Sequence, residues 1–256
     1  MLDRTIDFSS HIPYYHQLIE IIKHNIQSDV WQPGDQIPSE MELCDTFGIS
    51  RTVVRQALRE LETDNIIVKR KGKGTFVAKP KISEGLIQKL TGFYQDMIER
   101  GLEPVTRVLF QDVISANEKI AHYLDVPIGS DIVEIKRLRS IHDEPIQVVT
   151  TYIPLALSPN LANVDLTHRS LYEYLETKNG IKIYRGKRVI EAVLANEEEA
   201  ELLEIDPGDP LIKLNSVSYT KQGQAVEYYH ALHRGDRSRF EVELVHFNDD
   251  EQDLNK

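Results

Sequence analysis

Over the first 80 positions the apolar residues recur at helical spacing and then at strand spacing. Tyr15, Leu18, Ile19, Ile22 and Ile26 predict a helix over Tyr14–Val30, stopped by Pro33-Gly34-Asp35. Ser39, followed three residues later by Glu42, forms a capping box for a short helix ending at Phe47, and Gly48 closes it. Ser50 caps a third helix, with Val54, Ala57, Leu58 and Leu61 on one side and Arg51, Arg55 and Arg59 on the other. IIVKRKGKGTFVA then predicts two short strands around a tip at Lys71-Gly72-Lys73-Gly74. Three helices and a hairpin, with a tight Gly-Ile-Ser turn between the second and third helices, are the layout of a winged helix-turn-helix.

Beyond Lys79 the pattern changes to longer strands with scattered helices. Strands are expected over 105–114, 132–141, 146–153, 181–194, 211–219, 225–232 and 240–247, and helices over 117–124, 169–178 and 197–203. The hairpins turn at His142-Asp143-Glu144 and at Lys221-Gln222-Gly223-Gln224. AHYLDVPIGSDIVEI (Ala121–Ile135) and AELLEIDPGDPLIKL (Ala200–Leu214) align without gaps at an offset of 79 residues. Each leads into a hairpin, so the pattern implies a duplicated helix–hairpin unit and a pseudo-symmetric α+β domain on an antiparallel sheet. The expected organisation is a DNA-binding domain over 10–78, a linker over 79–86, a second domain over 87–248 and a polar tail over 249–256.

Charge changes the picture next. The 256-residue chain carries a net −11, yet the 27 residues from Ser50 to Phe76 hold seven positive and three negative side chains, a local +4 that leaves −15 for the rest. Arg51, Thr52 and Arg55 begin the third helix opposite its apolar stripe, where a recognition helix presents side chains to the major groove. An arginine fork matches guanine O6 and N7. Lys71 and Lys73 meet phosphates or the minor groove, and Gly72 lets the wing backbone come close. Ser39 joins these as a candidate DNA contact. The acidic remainder confines binding to this patch.

In the second domain Arg137 and Arg139 lie two apart on one strand, hence on one face, among Val133, Ile135 and Ile141. Their counterparts in the second copy of the repeat are Ser216 and Ser218. Buried arginines need partners. An anion such as a phosphate or carboxylate, held by both forks with help from the start of the helix at Ser170, is one solution. Pairing with Glu191, Glu227 or another internal acid is the other.

PYYHQLIEIIKHNI…WQPGDQIPSEMELCDTFGISRTVVRQALRELETDNIIVKRKGKGTFV resembles the GntR-type winged helix-turn-helix of bacterial transcription regulators over Ile12–Val77. RLRSIHDEPIQVVTTYIP, SLYEYLE…GIKI and GQAVEYYHALHRGDRSRF resemble the UTRA effector domain of the HutC subfamily, whose fold is like that of chorismate lyase. The resemblance implies a homodimeric regulator, most often a repressor, that binds an inverted-repeat operator in double-stranded DNA and is released by a small effector. It carries DNA contacts onto Arg51, Thr52, Arg55 and Gly72. It carries phosphosugar contacts onto Arg137, Arg139, Ser170 and Tyr172, and sugar-hydroxyl binding onto Glu227. His233 completes the candidate effector residues. Other members take amino-acid derivatives, fatty acids or other acids. Three positions depart from the family pattern: Met41 stands where arginine is frequent, Gly92 where serine is common, and Val149 where glutamate is common.

No HExxH, GxSxG or P-loop is present, so an enzyme, including a chorismate-lyase-like one, is not expected. No cofactor or metal is called for. Cys44 is the only cysteine, which excludes an intrachain disulfide and points to a reducing cytoplasm. No apolar run is long enough to span a bilayer.

Overall fold

A computed structural model describes residues 5–70, 72–85, 90 and 92–243, and the chain divides into two compact units between Pro80 and Lys81. The first contains α1 (Tyr14–Gln27), β1 (Gln36–Ile37), α2 (Glu40–Phe47), α3 (Arg51–Thr63), β2 (Ile67–Arg70) and β3 (Gly74–Val77), with the strands in the order β1-β3-β2. Leu18, Ile22, Leu43, Val54, Leu58 and Leu61 are fully buried among the three helices. At about 1.5–3 kcal/mol each, they dominate the stability of this unit. The capping box forms as expected, Ser39 N donating to Glu42 Oε2 at 2.8 Å. Gly48 closes α2 at φ +65°, a left-handed conformation that glycine adopts without strain. The first helix stops at Gln27, short of Val30, because the buried Asn25 carbonyl accepts from both Val30 N and Trp31 N.

The second unit contains β4 (Ile82–Glu84), α4 (Phe93–Glu99), β5 (Pro104–Ser115), α5 (Glu118–Leu124), β6 (Asp131–Ile141), β7 (Glu144–Pro154), α6 (Leu171–Asn179), β8 (Arg185–Leu194), α7 (Glu197–Leu203), β9 (Pro210–Tyr219), β10 (Ala225–Arg234) and β11 (Ser238–Phe240). Six of these strands form one antiparallel sheet in the order β5-β6-β7-β10-β9-β8. The order is a palindrome about the β7–β10 pair, as a duplicated unit requires. The duplication extends to single bonds. Asn117 and Asn196 cap α5 and α7 by accepting from Ile120 N and Glu199 N. Ala116 N donates to Ser130 O at 2.8 Å, and Ala195 N to Asp209 O at 2.9 Å.

Three expectations are corrected here. Residues 82–84 of the expected linker are strand β4, which pairs in parallel with β11 inside the second unit. The long strand begins at Arg185 rather than Ile181, because Ile181 N closes the end of α6 on Leu175 O. The last strand covers Ser238–Phe240, 241–243 are not strand, and 244–256 lie outside the described residues. Helix α4 was not anticipated. It starts at Gly92 with no side-chain cap, unlike the equally short α5 and α7 with their Asn caps, and it buries Phe93, Met97 and the carboxylate of Asp96.

Candidate functional site

Arg51, Thr52 and Arg55 are exposed at the start of α3, opposite its buried stripe. Ser50 Oγ caps the helix by accepting from Val53 N. In the wing, Lys73 is exposed and Gly72 sits at φ +72° with open space where a Cβ would go, so backbone conformation alone favours glycine there. Gly74 differs: a Cβ would collide with the Gln36 amide, which donates to Lys73 O and holds the wing to β1. Lys71 lies outside the described residues. Ser39 is committed to its capping box, and Met41 is exposed on α2.

The second unit holds a cavity of about 40 Å³ on the sheet face opposite α5 and α7. A water requires about 10–15 Å³ of such space, so the cavity has room for a group the size of a few waters. Arg137, Arg139, Ser170, Tyr172 and Glu227 all line it. His233 does not. It is fully buried beside the cavity, with Nδ1 3.0 Å from Glu84 Oε1 and its ring edge-on to Phe240.

The two arginines are buried, and among the described residues neither has a carboxylate at ion-pair distance. Arg137 Nη2 donates to Thr151 Oγ1 at 3.3 Å, and the Arg139 guanidinium lies 4.9 Å from the Phe93 ring centre. Burial pushes Arg137 down to about 10. Burial, then repulsion from Arg137, pushes Arg139 down to about 9. Internal pairing with Glu191 does not form, since Glu191 is exposed and accepts from Asn215 Nδ2. Glu227 Oε2 accepts from Tyr172 OH at 2.7 Å and from Ser218 Oγ at 3.1 Å. Burial raises both Glu227 and Tyr172 above their ordinary ranges.

The sheet register explains this division of labour. Arg139 pairs with Gln147 across β6–β7, and the equivalent pair in the second copy is Ser218 with Glu227 across β9–β10. One half of the cavity thus offers donors and the other a carboxylate. Gln147 is 1% exposed, and among the described residues its Nε2, like the Nε of Arg137 and of Arg139, has no hydrogen-bond partner. Three buried donors with no acceptor among the described residues thus line one small space, where an unpaired donor is costly. Gln147, Thr106, Thr151 and Tyr229 also line the cavity and were not singled out from sequence. Gln147 is the counterpart of Glu227 by strand register alone, since the offset of 79 residues would align it with Val226. Gly92 caps α4 without a side-chain bond, and Val149 lines the cavity with an apolar surface. Among the described residues no cluster of three or more His, Cys, Asp or Glu could hold a metal, and no helix is long and apolar enough to cross a membrane.

Residues 14–77 match the gntR family of bacterial regulatory proteins, and residues 99–239 match the UTRA domain. The chain is 37% identical to the HTH-type transcriptional repressor NagR of Bacillus subtilis, over 95% of this chain and 98% of that one. It is 31% identical to the histidine utilization repressor of Pseudomonas aeruginosa, over 90% of each. Among solved structures, PhnF from Mycobacterium smegmatis is similar with a TM-score of 0.63 and 29% identity, over 90% of this chain and 98% of that one. A winged helix-turn-helix with an exposed basic recognition helix, joined to a duplicated antiparallel sheet with a buried arginine cavity, therefore belongs to the gntR family of bacterial regulatory proteins, in its HutC-type, UTRA-containing branch.

Proposed function

We propose that this protein is a transcriptional repressor that binds an inverted-repeat operator as a homodimer and leaves it when a phosphorylated sugar binds at the cavity of the second unit with its anionic group inside. The observation that carries the effector class is the polarity of the cavity: unsatisfied donors on Arg137, Arg139 and Gln147 at one end, and the Glu227 carboxylate at the other. An anion answers the first and hydroxyl groups answer the second. Arg51, Thr52 and Arg55 read base edges, while Lys71, Gly72 and Lys73 hold the backbone. Effector and operator then oppose each other by one coupling free energy, so the operator weakens effector binding by the same factor.

A thermal-shift panel tests the reading. Sugar phosphates, their unphosphorylated parents, amino acids and fatty acids are compared on wild type and Arg137→Ala. A ligand at 100 times its Kd adds about 2.7 kcal/mol. A shift that needs the phosphate and vanishes in Arg137→Ala is expected. A shift with carboxylates alone would instead support the acid-sensing reading, which the apolar surface of Val149 favours. No shift with any anion would sink both.

A further inference from the structure

Gln147 stands between two buried partners. On one side it is directly opposed to Arg139 of β6, and on the other to His233 of β10. Paired residues share a face of the sheet, so the three side chains form one row, with directly opposed Cβ atoms about 4.5–5.5 Å apart. The row ends on strand β4. His233 Nδ1 lies 3.0 Å from Glu84 Oε1, and the Phe240 ring packs edge-on against the imidazole, 5.0 Å between centres. Gln147, His233 and Glu84 are all buried, none more than 1% exposed. Two atoms of the row are complementary. Among the described residues Gln147 Nε2 and His233 Nε2 both lack a hydrogen-bond partner. Gln147 Nε2 is a donor. With the ring proton on Nδ1, where Glu84 accepts it, Nε2 of the neutral imidazole is an acceptor. A buried donor is costly until it meets an acceptor. The Gln147 amide lines the cavity, and a side-chain rotation brings it to His233 instead.

We infer that Gln147 is a two-position switch: its amide bonds an anion when the cavity is filled and His233 Nε2 when it is not, and Glu84 on β4 registers which. The inference rests on the anion reading of the cavity and names how occupancy of that same site is passed on. β4 is the first strand after the Pro80–Lys81 boundary between the two units. Three of its residues pair with β11, and the Glu84–His233 contact ties it to the six-stranded sheet. When the amide turns to the anion, His233 loses the bond that fixes its ring, and Glu84 is held less firmly. One hydrogen bond of this kind changes an equilibrium about two- to tenfold, so filling the cavity should loosen β4 by that factor.

Hydrogen–deuterium exchange of the full chain, with inorganic phosphate as the probe, tests this. Wild type should bind phosphate, seen as a rise in Tm that Arg137→Ala abolishes, while the peptide spanning 81–85 exchanges about two- to tenfold faster. The double variant Glu84→Leu with His233→Phe removes both partners together, so neither is left buried alone. It should keep the rise in Tm and lose the change in exchange. A second measurement needs neither of these substitutions. In wild type with nitrogen-labelled histidine, the His233 Nε2 resonance, assigned by through-bond NMR, should move with phosphate. Gln147→Leu should hold it at one position with or without phosphate. Phosphate binding with unchanged exchange at 81–85, a resonance that stays still, or one that moves equally in Gln147→Leu would overturn the switch and leave the anion site standing. A double variant that still responds at 81–85 would overturn the route through His233. No rise in Tm, or a rise retained in Arg137→Ala, would overturn the anion reading and the switch with it.

Discussion

Replacing Arg139 by methionine should make the protein without ligand more stable while abolishing the anion binding proposed above. Methionine keeps most of the side-chain length and removes the charge. Burial and the neighbouring Arg137 push Arg139 from its ordinary 12.5 to about 9, which corresponds to about 5 kcal/mol of cost for keeping it charged at neutral pH. The sign follows from linkage. The folded state holds this proton less firmly than the unfolded chain, so the penalty is fully present below pH 9 and is relieved only as pH rises through that value. Against the relief stands the lost contact with the Phe93 ring, worth about 0.5–2 kcal/mol. The net expectation is a gain of about 3–4 kcal/mol, at the upper end of what apolar replacement of other buried ionic groups yields. For a unit of this size that raises Tm by roughly 6–16 °C. Thermal denaturation in anion-free buffer, repeated with increasing inorganic phosphate, measures it. Wild type should climb with phosphate and the variant should not. A variant less stable than wild type without phosphate would refute the reasoning, because Arg139 would then be held by the protein itself.

Arg51→Ala and Arg55→Ala should each cost about 1–3 kcal/mol of operator affinity and flatten discrimination among operator variants in a fluorescence anisotropy titration, whereas Lys73→Ala should weaken all sequences alike and lower the salt slope by about one. His230 gives a pH effect that can be signed. Burial first, and then Lys119, Lys213 and Lys136, push it from 6.5 to about 4. Its neutral form therefore stabilises the fold above pH 6.5, and that contribution is lost as pH falls from 6.5 toward 4. In urea denaturation, His230→Asn should lose about 2–3 kcal/mol less than wild type between pH 7.5 and 4.5; equal losses would show that the ring does not titrate against this environment.

The head was legible almost residue by residue because its signals are local. A capping box, a Gly-Ile-Ser turn and an arginine row opposite Val54, Ala57, Leu58 and Leu61 lie within 30 positions of one another. In the second unit the duplication was legible from two 15-residue segments, and it foretold the antiparallel sheet. The partners of the arginines could not be read off in the same way. Gln147 faces Arg139 only through strand register, and Phe93 reaches the same guanidinium from a short helix with no capping side chain to mark its start. Strand β4 was hidden for a related reason: its partner β11 is more than 150 residues away, and Lys-Pro-Lys ahead of it looks like a joint. His233, expected in the effector set, does not line the cavity: Glu84, contributed by that hidden strand, holds it alongside.

The palindromic sheet also has a history written in it. A chain half this long, pairing with its own copy along the strand that became β7 and β10, would have enclosed a cavity identical from either end, and its ligand could have entered in two orientations. Joining the two copies in one gene let them diverge, one toward Arg137, Arg139 and Gln147, the other toward Ser216, Ser218 and Glu227. That divergence gave the cavity a head and a tail. On the effector reading proposed above, a molecule reversed end for end would meet guanidinium with hydroxyl and carboxylate with anion, so positional isomers that differ only in where the anion is attached would become distinguishable signals.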